Sequence, residues 1–233
     1  MVNVWKMNEM FDERYFSERA YFAYKLELKQ AIQDLYYKIL YYVSRHTNVN
    51  MLNGKGKRAL DIGCAFGYVA DLLMKLKYEV VGLDISTYAI HKAHETSVSP
   101  NFLVSDACHI PFKNNAFSLI TCFELLEHIP NPQLLMDEIE TLLKRDGICI
   151  WTTPVRGPVQ ILYDKTRGEK THISLFKPNE AEKLIQKYFK KSVILTHLLL
   201  PIPPQIVNKY FLLHNTPVFM SSGVAIASVK TEN

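Results

Sequence analysis

Short apolar runs that end in an acidic residue recur along the first half of the chain. The runs RALD, YEVVGLD and NFLVSD end at Asp61, Asp84 and Asp106, and residues with helical spacing lie between them. Strands that alternate with helices in this way are typical of a parallel sheet, whose strands all end at one edge. The pattern therefore predicts an α/β domain with three carboxylates along the edge at which such sheets bind ligands.

Four further apolar runs extend the predicted sheet into the second half of the chain. A helix that opens at Asn131-Pro132 and continues to about Arg145 separates the first two of these runs. The predicted strands are Phe117–Cys122, Gly147–Thr153, Ser192–Leu200 and Gly223–Lys230.

The residues before the first strand follow a different pattern. Apolar residues spaced three and four apart from Leu28 to Val43 predict a long amphipathic helix, and an aromatic-rich segment, residues 11–24, precedes it. We therefore divide the chain into a helical cover segment, residues 1–46, and a ligand-binding domain, residues 47–233. The domain contains an apolar insert, residues 201–217, which four prolines interrupt.

The first strand leads into a turn that is rich in small residues. Gly63, Ala65 and Gly67 precede a new helical pattern at Val69. Such a turn leaves backbone N–H groups without a partner at the start of the helix, and glycine lets a ligand approach the main chain. Asp84 follows at about the distance from which a parallel βαβ unit holds a ribose. These features favour a cofactor site over an ordinary strand-to-helix turn.

The residues of this turn distinguish between cofactors. A nicotinamide or flavin fingerprint needs a third glycine where Tyr68 stands, and the Gly-Lys-Ser/Thr of a phosphate-binding P-loop is missing. The order of acid, glycine, small residue and glycine instead resembles the first motif of class I S-adenosylmethionine-dependent methyltransferases. Within that family the chain resembles the small-molecule and lipid enzymes, such as those of ubiquinone and menaquinone biosynthesis. The resemblance covers Arg58 to about Thr153, and Ala65 is a glycine in the commonest form of the motif.

The resemblance implies a doubly wound, Rossmann-like sheet of seven strands, mostly parallel, with an antiparallel last strand. It also implies S-adenosylmethionine as cofactor, with its methionine part against residues 61–67, its ribose on Asp84 and its adenine near Asp106 and the Ala107 N–H. The expected cofactor-binding residues are Asp61, Gly63, Cys64, Ala65, Gly67, Asp84, Ile85, Asp106, Ala107 and Phe123.

The segment Phe117–His128 narrows the acceptor that the resemblance implies. Enzymes of the family that methylate bases carry an Asn/Asp-Pro-Pro-aromatic sequence after this strand, where this chain has Cys-Phe-Glu-Leu. Glu124 and Glu127 also lie closer together than the two glutamates of protein arginine methyltransferases. We therefore expect methyl transfer to a small-molecule or lipid-like acceptor.

Glu124 and His128 are the predicted catalytic residues. An imidazole titrates near neutral pH, so His128 could remove a proton from the acceptor. In the alternative interpretation Glu124 and Glu127 share a solvated face and His128 caps a turn. The resemblance further implies that Tyr15 and His172 contact the acceptor, although a histidine in an exposed loop is also a routine finding.

Composition limits the remaining possibilities. Four cysteines without a C-x-x-C pair predict neither a disulfide nor a metal site, and a net charge of +4 without a long basic block does not indicate nucleic acid. Apolar runs are too short for a membrane span, and the acidic N-terminus is unlike a signal peptide, so we expect a cytoplasmic protein.

The two apolar segments outside the sheet are expected to close the site. Residues 11–24 and 201–217 have the composition to pack on the domain, on a second subunit in a homodimer, or on a bilayer that delivers a lipid acceptor. In the insert we expect Tyr210, Phe211 and Leu212 to form a pocket wall. Two other functions stay open: a nicotinamide-dependent oxidoreductase, which Tyr68 disfavours, and a non-catalytic relative that binds the cofactor or a partner.

Overall fold

The computed structural model describes residues 8–19, 28–47, 49–97, 101–156, 161, 165, 171–189, 191–200, 211–214 and 223–230. These residues form a Rossmann-like α/β fold around one mixed sheet. The strands are β1 (Arg58–Ile62), β2 (Glu79–Asp84), β3 (Phe102–Val104), β4 (Phe117–Phe123), β5 (Leu143–Pro154), β6 (Lys191–Leu200), β7 (Phe211–His214) and β8 (Gly223–Val229). The helices are α1 (Lys29–Thr47), α2 (Tyr68–Lys75), α3 (Thr87–Thr96), α4 (Pro132–Leu142) and α5 (Pro178–Tyr188).

The strand order places a reversal at β1. The order across the sheet is β3-β2-β1-β4-β5-β8-β6-β7. Strands β1 to β5 pair in parallel, and β8 lies antiparallel between β5 and β6, so β6 runs in the direction of the first five. The chain extends from β1 to β2 and β3 on one side, and then continues with β4 on the other. A crevice opens at such a reversal, beyond the carboxyl ends of the strands.

Two layers of helices cover the sheet. On one face α4 and α5 bury Leu135, Ile139 and Ile185 against the strands. On the other face Ile39 and Val43 of α1 pack with α2 against the sheet. The amphipathic helix that the apolar spacing predicts is confirmed, and its apolar stripe is buried. None of the helices that the structure describes is both long enough and apolar enough to cross a bilayer.

The prediction of seven strands is wrong by one, because the described residues form eight. The additional strand, β7, lies within the predicted insert and pairs antiparallel with β6 through residues such as Phe211 and Leu212. It forms the sheet edge five strands from β1, which at about 4.8 Å per strand is roughly 24 Å. The backbone of Phe211 and Leu212 therefore lies far from the crevice at β1, and Tyr210 lies outside the described residues. The predicted pocket wall stays a prediction.

The boundary between α4 and β5 also differs from the prediction. The helix ends at Leu142 rather than near Arg145, and the strand begins at Leu143 rather than Gly147. Leu143 is fully buried and pairs with Phe117, so the strand starts where the chain can complete the core. Asp146 has a φ of 58° at an irregularity in this pairing, which accommodates the turn-forming residues within the strand.

Candidate active site

A cleft lies beyond the carboxyl ends of β1, β2 and β4, where the strand order reverses. It contains about 620 Å³ of space between protein atoms, including the part that is open to solvent. The predicted site residues that line the cleft are Tyr15, Gly63, Ala65, Asp84, Ile85, Asp106, Ala107, Glu124 and His128.

The glycine turn after β1 shapes the floor of this cleft. Gly63 has a φ of 73°, and a Cβ there would lie 3.0 Å from a side-chain carbon of Leu125. Gly67 has a φ of 77° and packs against Phe102 rather than lining the cleft. Ala65 has a φ of 45°, which an L-residue with a small side chain tolerates at some cost.

Four N–H groups of the turn have partners within the protein. Gly63 and Cys64 both donate to the carbonyl oxygen of Leu83, and Gly67 donates to the carbonyl oxygen of Cys64. The Ala65 N–H donates to Asp84. These four residues therefore supply close backbone approach, and the expectation of unpartnered N–H groups stays a prediction for the first residues of α2.

Asp84 is fixed at the centre of the cleft by the backbone around it. Its Oδ2 accepts from the Ala65 N–H at 2.9 Å, and its Oδ1 accepts from the Ser86 N–H at 2.9 Å. Desolvation by the surrounding protein raises the pKa of the carboxyl, and the bonds from these N–H groups limit the increase. Each carboxylate oxygen can accept more than one hydrogen bond, so Asp84 can still bind hydroxyl groups in the cleft.

Asp61 lies beneath the cleft rather than in its lining. The side chain is 2% exposed, and its Oδ1 accepts from the Thr121 hydroxyl at 2.7 Å. Its buried Oδ2 has no hydrogen-bond partner among the described residues. Desolvation raises the pKa of Asp61 to about 7, and the charge of Asp84 adds to the increase. A cationic group in the cleft would favour the ionised form of this carboxyl.

The loop after β3 brings Asp106 and Ala107 to the cleft, as the sequence predicts. The Asp106 carboxylate accepts from the Cys108 N–H at 2.9 Å and lies 3.1 Å from Nδ1 of the exposed His109. These contacts hold the loop in a compact turn. Ala107 is buried and contributes a small apolar surface next to this turn.

Two predicted cofactor contacts, Cys64 and Phe123, do not line the cleft. The Cys64 side chain is buried and packs against Gly82 in the neighbouring strand. The Phe123 ring stacks on Tyr36 of α1, with 4.2 Å between ring centroids. Side chains alternate between the two faces of a strand, so the last residue of β4 points to the α1 face while Glu124 and Leu125 turn into the cleft.

The segment before α1 forms one wall of the cleft. The Ser86 hydroxyl donates to the carbonyl oxygen of Phe11 at 2.5 Å, and the Thr87 N–H donates to the Asn8 side chain at 3.1 Å. Ser86 also caps α3 by accepting from the Ala89 N–H. Phe11 and Phe16 are buried, and both line the cleft next to the predicted Tyr15. Phe11 and Phe16 belong to the aromatic-rich segment, but nothing in the sequence distinguishes them from its other aromatic residues.

A short 3₁₀ turn, Leu126–His128, follows β4 and orients His128. Its Nδ1 lies 3.0 Å from the carbonyl oxygen of Thr171. A carbonyl only accepts hydrogen bonds, so Nδ1 carries the proton and Nε2 is the basic nitrogen of the neutral ring. The ring packs edge-to-face on Phe11 at 5.3 Å and lies 5.1 Å from the His172 ring. His172 is therefore adjacent to His128 without lining the cleft itself.

The two glutamates of this segment have different environments. Glu124 is exposed at the cleft, and surrounding protein atoms raise the pKa of its carboxyl, while Thr152 and His172 reduce that shift. Glu127 is 1% exposed, and its Oε2 accepts from the Thr153 hydroxyl at 3.1 Å. The alternative of a shared solvated face is wrong for Glu127, because its carboxylate is buried.

Glu127, His128 and His172 together could hold a metal ion. One potential ligand atom from each residue lies within 4.8 Å of the other two. No metal site was predicted, because the cysteine spacing indicates none and His172 lies in a separate loop of the sequence. In the sequence these ligands appear only as the adjacent pair Glu127-His128 and a distant histidine, His172. The three side chains come together only in the folded chain.

Comparison with known proteins identifies the domain that contains the cleft. Residues 60–151 match a family model described as a methyltransferase domain. A ubiquinone biosynthesis O-methyltransferase of Psychrobacter arcticus is 30% identical over 132 residues, which are 52% of this chain and 51% of that protein. One of Coxiella burnetii is 33% identical over 113 residues, covering 47% and 48% of the two chains. The chain thus spans about half the length of the curated relatives it matches.

Solved structures share the whole fold. A methyltransferase of Thermotoga maritima, described as a possible histamine N-methyltransferase, has a TM-score of 0.68 at 20% identity and covers 98% of this chain and 100% of its own. Residues 60–151 are thus similar to a methyltransferase domain, and the fold is that of solved S-adenosylmethionine-dependent methyltransferases. The magnesium protoporphyrin IX methyltransferase of Synechocystis PCC 6803, solved with bound S-adenosylhomocysteine (SAH), has the same fold, with a TM-score of 0.66, 15% identity and coverage of 98% and 100%.

The match to the methyltransferase domain family covers only part of the cleft. It includes Asp84 and Asp106, and it also includes Glu124 and His128. Tyr15 and His172 lie outside the matched residues. The family match therefore supports the cofactor end of the cleft more directly than the end where an acceptor would bind.

Proposed function

We propose that this protein transfers a methyl group from S-adenosylmethionine to a small-molecule or lipid-like acceptor. The observation that carries the proposal is the Asp84 carboxylate, held by two backbone N–H groups in the cleft of a methyltransferase domain. A carboxylate that is fixed in this way suits the two adjacent hydroxyls of a ribose.

The residues of the cleft fit this cofactor. Gly63 leaves the floor of the cleft free of a side chain, and its φ of 73° disfavours any replacement. The Asp61 carboxyl lies directly beneath the cleft, where the positive charge of the bound cofactor would favour its ionised form. Asp106 and the Ala107 N–H would bind the adenine, as the resemblance implies, and Ile85 lines the cleft next to Asp84.

In the proposed reaction the protein mainly aligns the reactants and excludes water. Bound S-adenosylmethionine would supply an activated methyl group. A lone pair of the acceptor would form the new bond to the methyl carbon, and sulfur would keep both electrons of the bond that breaks. Phe11 and Tyr15 would keep water out from the side of the segment before α1. His128 would accept the proton that a protonated acceptor must lose, through its Nε2.

The cleft and the relatives support the proposed class of acceptor. Phe11, Tyr15 and Phe16 provide an aromatic wall, and Tyr15 and His172 remain the proposed acceptor contacts. The names of the matched proteins refer to ubiquinone biosynthesis and to magnesium protoporphyrin IX. These names support a small, ring-containing acceptor and leave its identity to experiment.

Two measurements on the purified chain test the proposal. Titration calorimetry should show that SAH and S-adenosylmethionine bind and that NAD does not. Transfer of radiolabelled methyl from S-adenosylmethionine should then occur with at least one member of a panel of phenols and quinols. Binding without turnover across the panel would favour a non-catalytic relative, and failure of SAH to bind would overturn the proposed function. Binding of NAD instead would favour an oxidoreductase.

A further inference from the structure

We infer that Ser86 is a positioning residue that couples cofactor binding to the docking of the N-terminal wall, residues 8–19, on the cleft. The docking of this wall can be measured without an acceptor. The coupling rests on the proposed function, because it takes Asp84 as the residue that holds the ribose.

Ser86 makes hydrogen bonds to three different parts of the site. Its N–H donates to Oδ1 of Asp84 at 2.9 Å, and its hydroxyl donates to the carbonyl oxygen of Phe11 at 2.5 Å. The hydroxyl also accepts from the Ala89 N–H at 3.1 Å and so caps α3. Ser86 is fully buried, so water cannot readily replace a bond that is lost. One residue thus connects the carboxylate proposed for the ribose with the N-terminal wall.

The other residue that holds Asp84 contacts the same wall. Ala65, whose N–H donates to Oδ2 of Asp84, is buried in one apolar cluster with Phe11 and Phe16. Partly buried side chains that flank Ala65 and Asp84 in the sequence pack on this cluster: Phe66, Ile85 and Tyr88. The wall therefore rests on the two short segments whose N–H groups fix Asp84. A ligand that holds Asp84 in place would also hold the surface on which the wall packs.

The N-terminal wall also completes the first turn of α3. The first N–H groups of a helix have no partner within the helix itself. The Thr87 N–H donates to Oδ1 of Asn8 at 3.1 Å, and the Ser86 hydroxyl, which accepts from the next turn, is oriented by its bond to Phe11. Undocking of the wall would break both links to α3. The docking of the wall and the order of the residues that hold Asp84 are therefore linked in both directions.

The same wall reaches the acceptor end of the cleft. The Phe11 ring packs edge-to-face on Tyr15 at 4.9 Å and on His128 at 5.3 Å. Ser86 thus holds the backbone of the residue whose ring lies against His128. Cofactor bound at Asp84 would favour the docked wall, which completes the acceptor end before the acceptor binds. By linkage, the docked wall would raise cofactor affinity by the same factor.

Amide hydrogen exchange on the full chain, measured by mass spectrometry with and without SAH, tests this coupling. In the wild type, SAH should slow exchange in residues 8–19. Ser86→Ala keeps the backbone N–H that Asp84 accepts but loses the hydroxyl. Exchange in residues 8–19 should then be about 2–10-fold faster without SAH, which is the equivalent of one net hydrogen bond. SAH should slow exchange there less than in the wild type, whereas exchange in β1 should be unchanged.

Two further variants separate the bond to Phe11 from the other effects of the substitution. Ser86→Gly also lacks the hydroxyl, but glycine at an N-cap destabilises a helix much less than alanine does. It should therefore reduce the SAH effect on residues 8–19 as strongly as Ser86→Ala. Ser44→Ala is the matched control, because it removes an α1 hydroxyl that accepts from the Met51 N–H at 3.0 Å. It should show wild-type exchange in residues 8–19.

The outcomes separate this inference from the proposed function. Equal slowing by SAH in the wild type and both Ser86 variants would overturn the coupling, because the wall would then respond to the cofactor without Ser86. An effect of Ser86→Ala that Ser86→Gly lacks would overturn it as well, by assigning the effect to the cap of α3.

The wild-type measurement decides even if neither Ser86 variant folds. SAH that binds the wild type without slowing exchange in residues 8–19 would refute the coupling and leave the proposed function standing. Failure of SAH to bind the wild type would overturn the proposed function and the coupling together. Faster exchange of residues 8–19 in the Ser86 variants without SAH would in that case still show that Ser86 positions the wall.

Discussion

Removal of the Asp84 carboxylate is the sharpest test of how the cofactor is held. The side chain is fixed by the Ala65 and Ser86 N–H groups, each 2.9 Å from a carboxylate oxygen, and it can accept two further bonds from ribose hydroxyls. A hydrogen bond to a charged group contributes about 1.5–3 kcal/mol. Losing two of them should cost about 3–6 kcal/mol, which corresponds to a ~10²–10⁴-fold weaker Kd for SAH in Asp84→Ala.

Asp84→Asn refines this prediction because it keeps the shape of the side chain. The amide oxygen can still accept, but the amide NH₂ would face a backbone N–H that now lacks an acceptor. We therefore expect an affinity between those of the wild type and Asp84→Ala. Asp34→Ala removes an exposed carboxylate from α1 and is the matched control, with no expected change in SAH affinity.

Titration calorimetry with SAH measures each Kd at a temperature well below the thermal unfolding midpoint of every variant. Folding needs its own measurement, because Asp84→Ala also removes the acceptor of two backbone N–H groups. Circular dichroism and urea unfolding should show a folded variant with some loss of stability. A folded Asp84→Ala protein that binds SAH as tightly as the wild type would refute the assignment of Asp84 to the ribose.

Four further predictions address other parts of the site. Gly63→Ala should weaken SAH binding more than Gly56→Ala. Both glycines have φ near +74°, but only at Gly63 would the new Cβ lie 3.0 Å from a leucine side chain. Equal Kd values in the two variants would assign the effect to backbone strain alone. Asp61→Asn should become more stable than the wild type as the pH rises from about 4 to about 7, by at most about 4 kcal/mol. Burial raises the pKa of Asp61 from 3.8 to about 7, so folding favours the protonated carboxyl and the wild type loses stability as that carboxyl ionises. Urea unfolding curves with the same pH dependence in both proteins would contradict this. Deletion of residues 1–24 should leave a folded sheet that binds SAH more weakly and transfers no methyl group, and full turnover in a labelled-methyl assay would contradict the proposed wall. His128→Gln should lower turnover by roughly 10²–10⁴ with unchanged SAH affinity, because SAH lacks the proton that the acceptor must lose; a parallel loss of SAH binding would instead indicate a role in holding the cofactor.

Much of the cofactor end of the cleft was predictable because its signals are local. Each apolar run is short, and the acid at its end must lie at the carboxyl edge of a parallel sheet once the strands pair. Asp84 and Asp106 therefore lie at the cleft as predicted. Side chains alternate between the two faces of a strand, but the sequence does not show which face the last residue of β4, Phe123, occupies. In the structure its ring contacts Tyr36 of α1.

The sequence by itself determined the alternation of strands and helices from β1 to β5, the glycine turn and the acids that follow the strands, because these depend on spacing within a few residues. Only the tertiary structure decided which distant groups meet. Phe11 contacts His128, and Thr171 fixes its tautomer from 43 residues away. It likewise decided that the N–H groups of the turn have partners and that Phe211 extends the sheet edge. Such contacts arise from the packing of whole elements, which no periodicity within one element encodes.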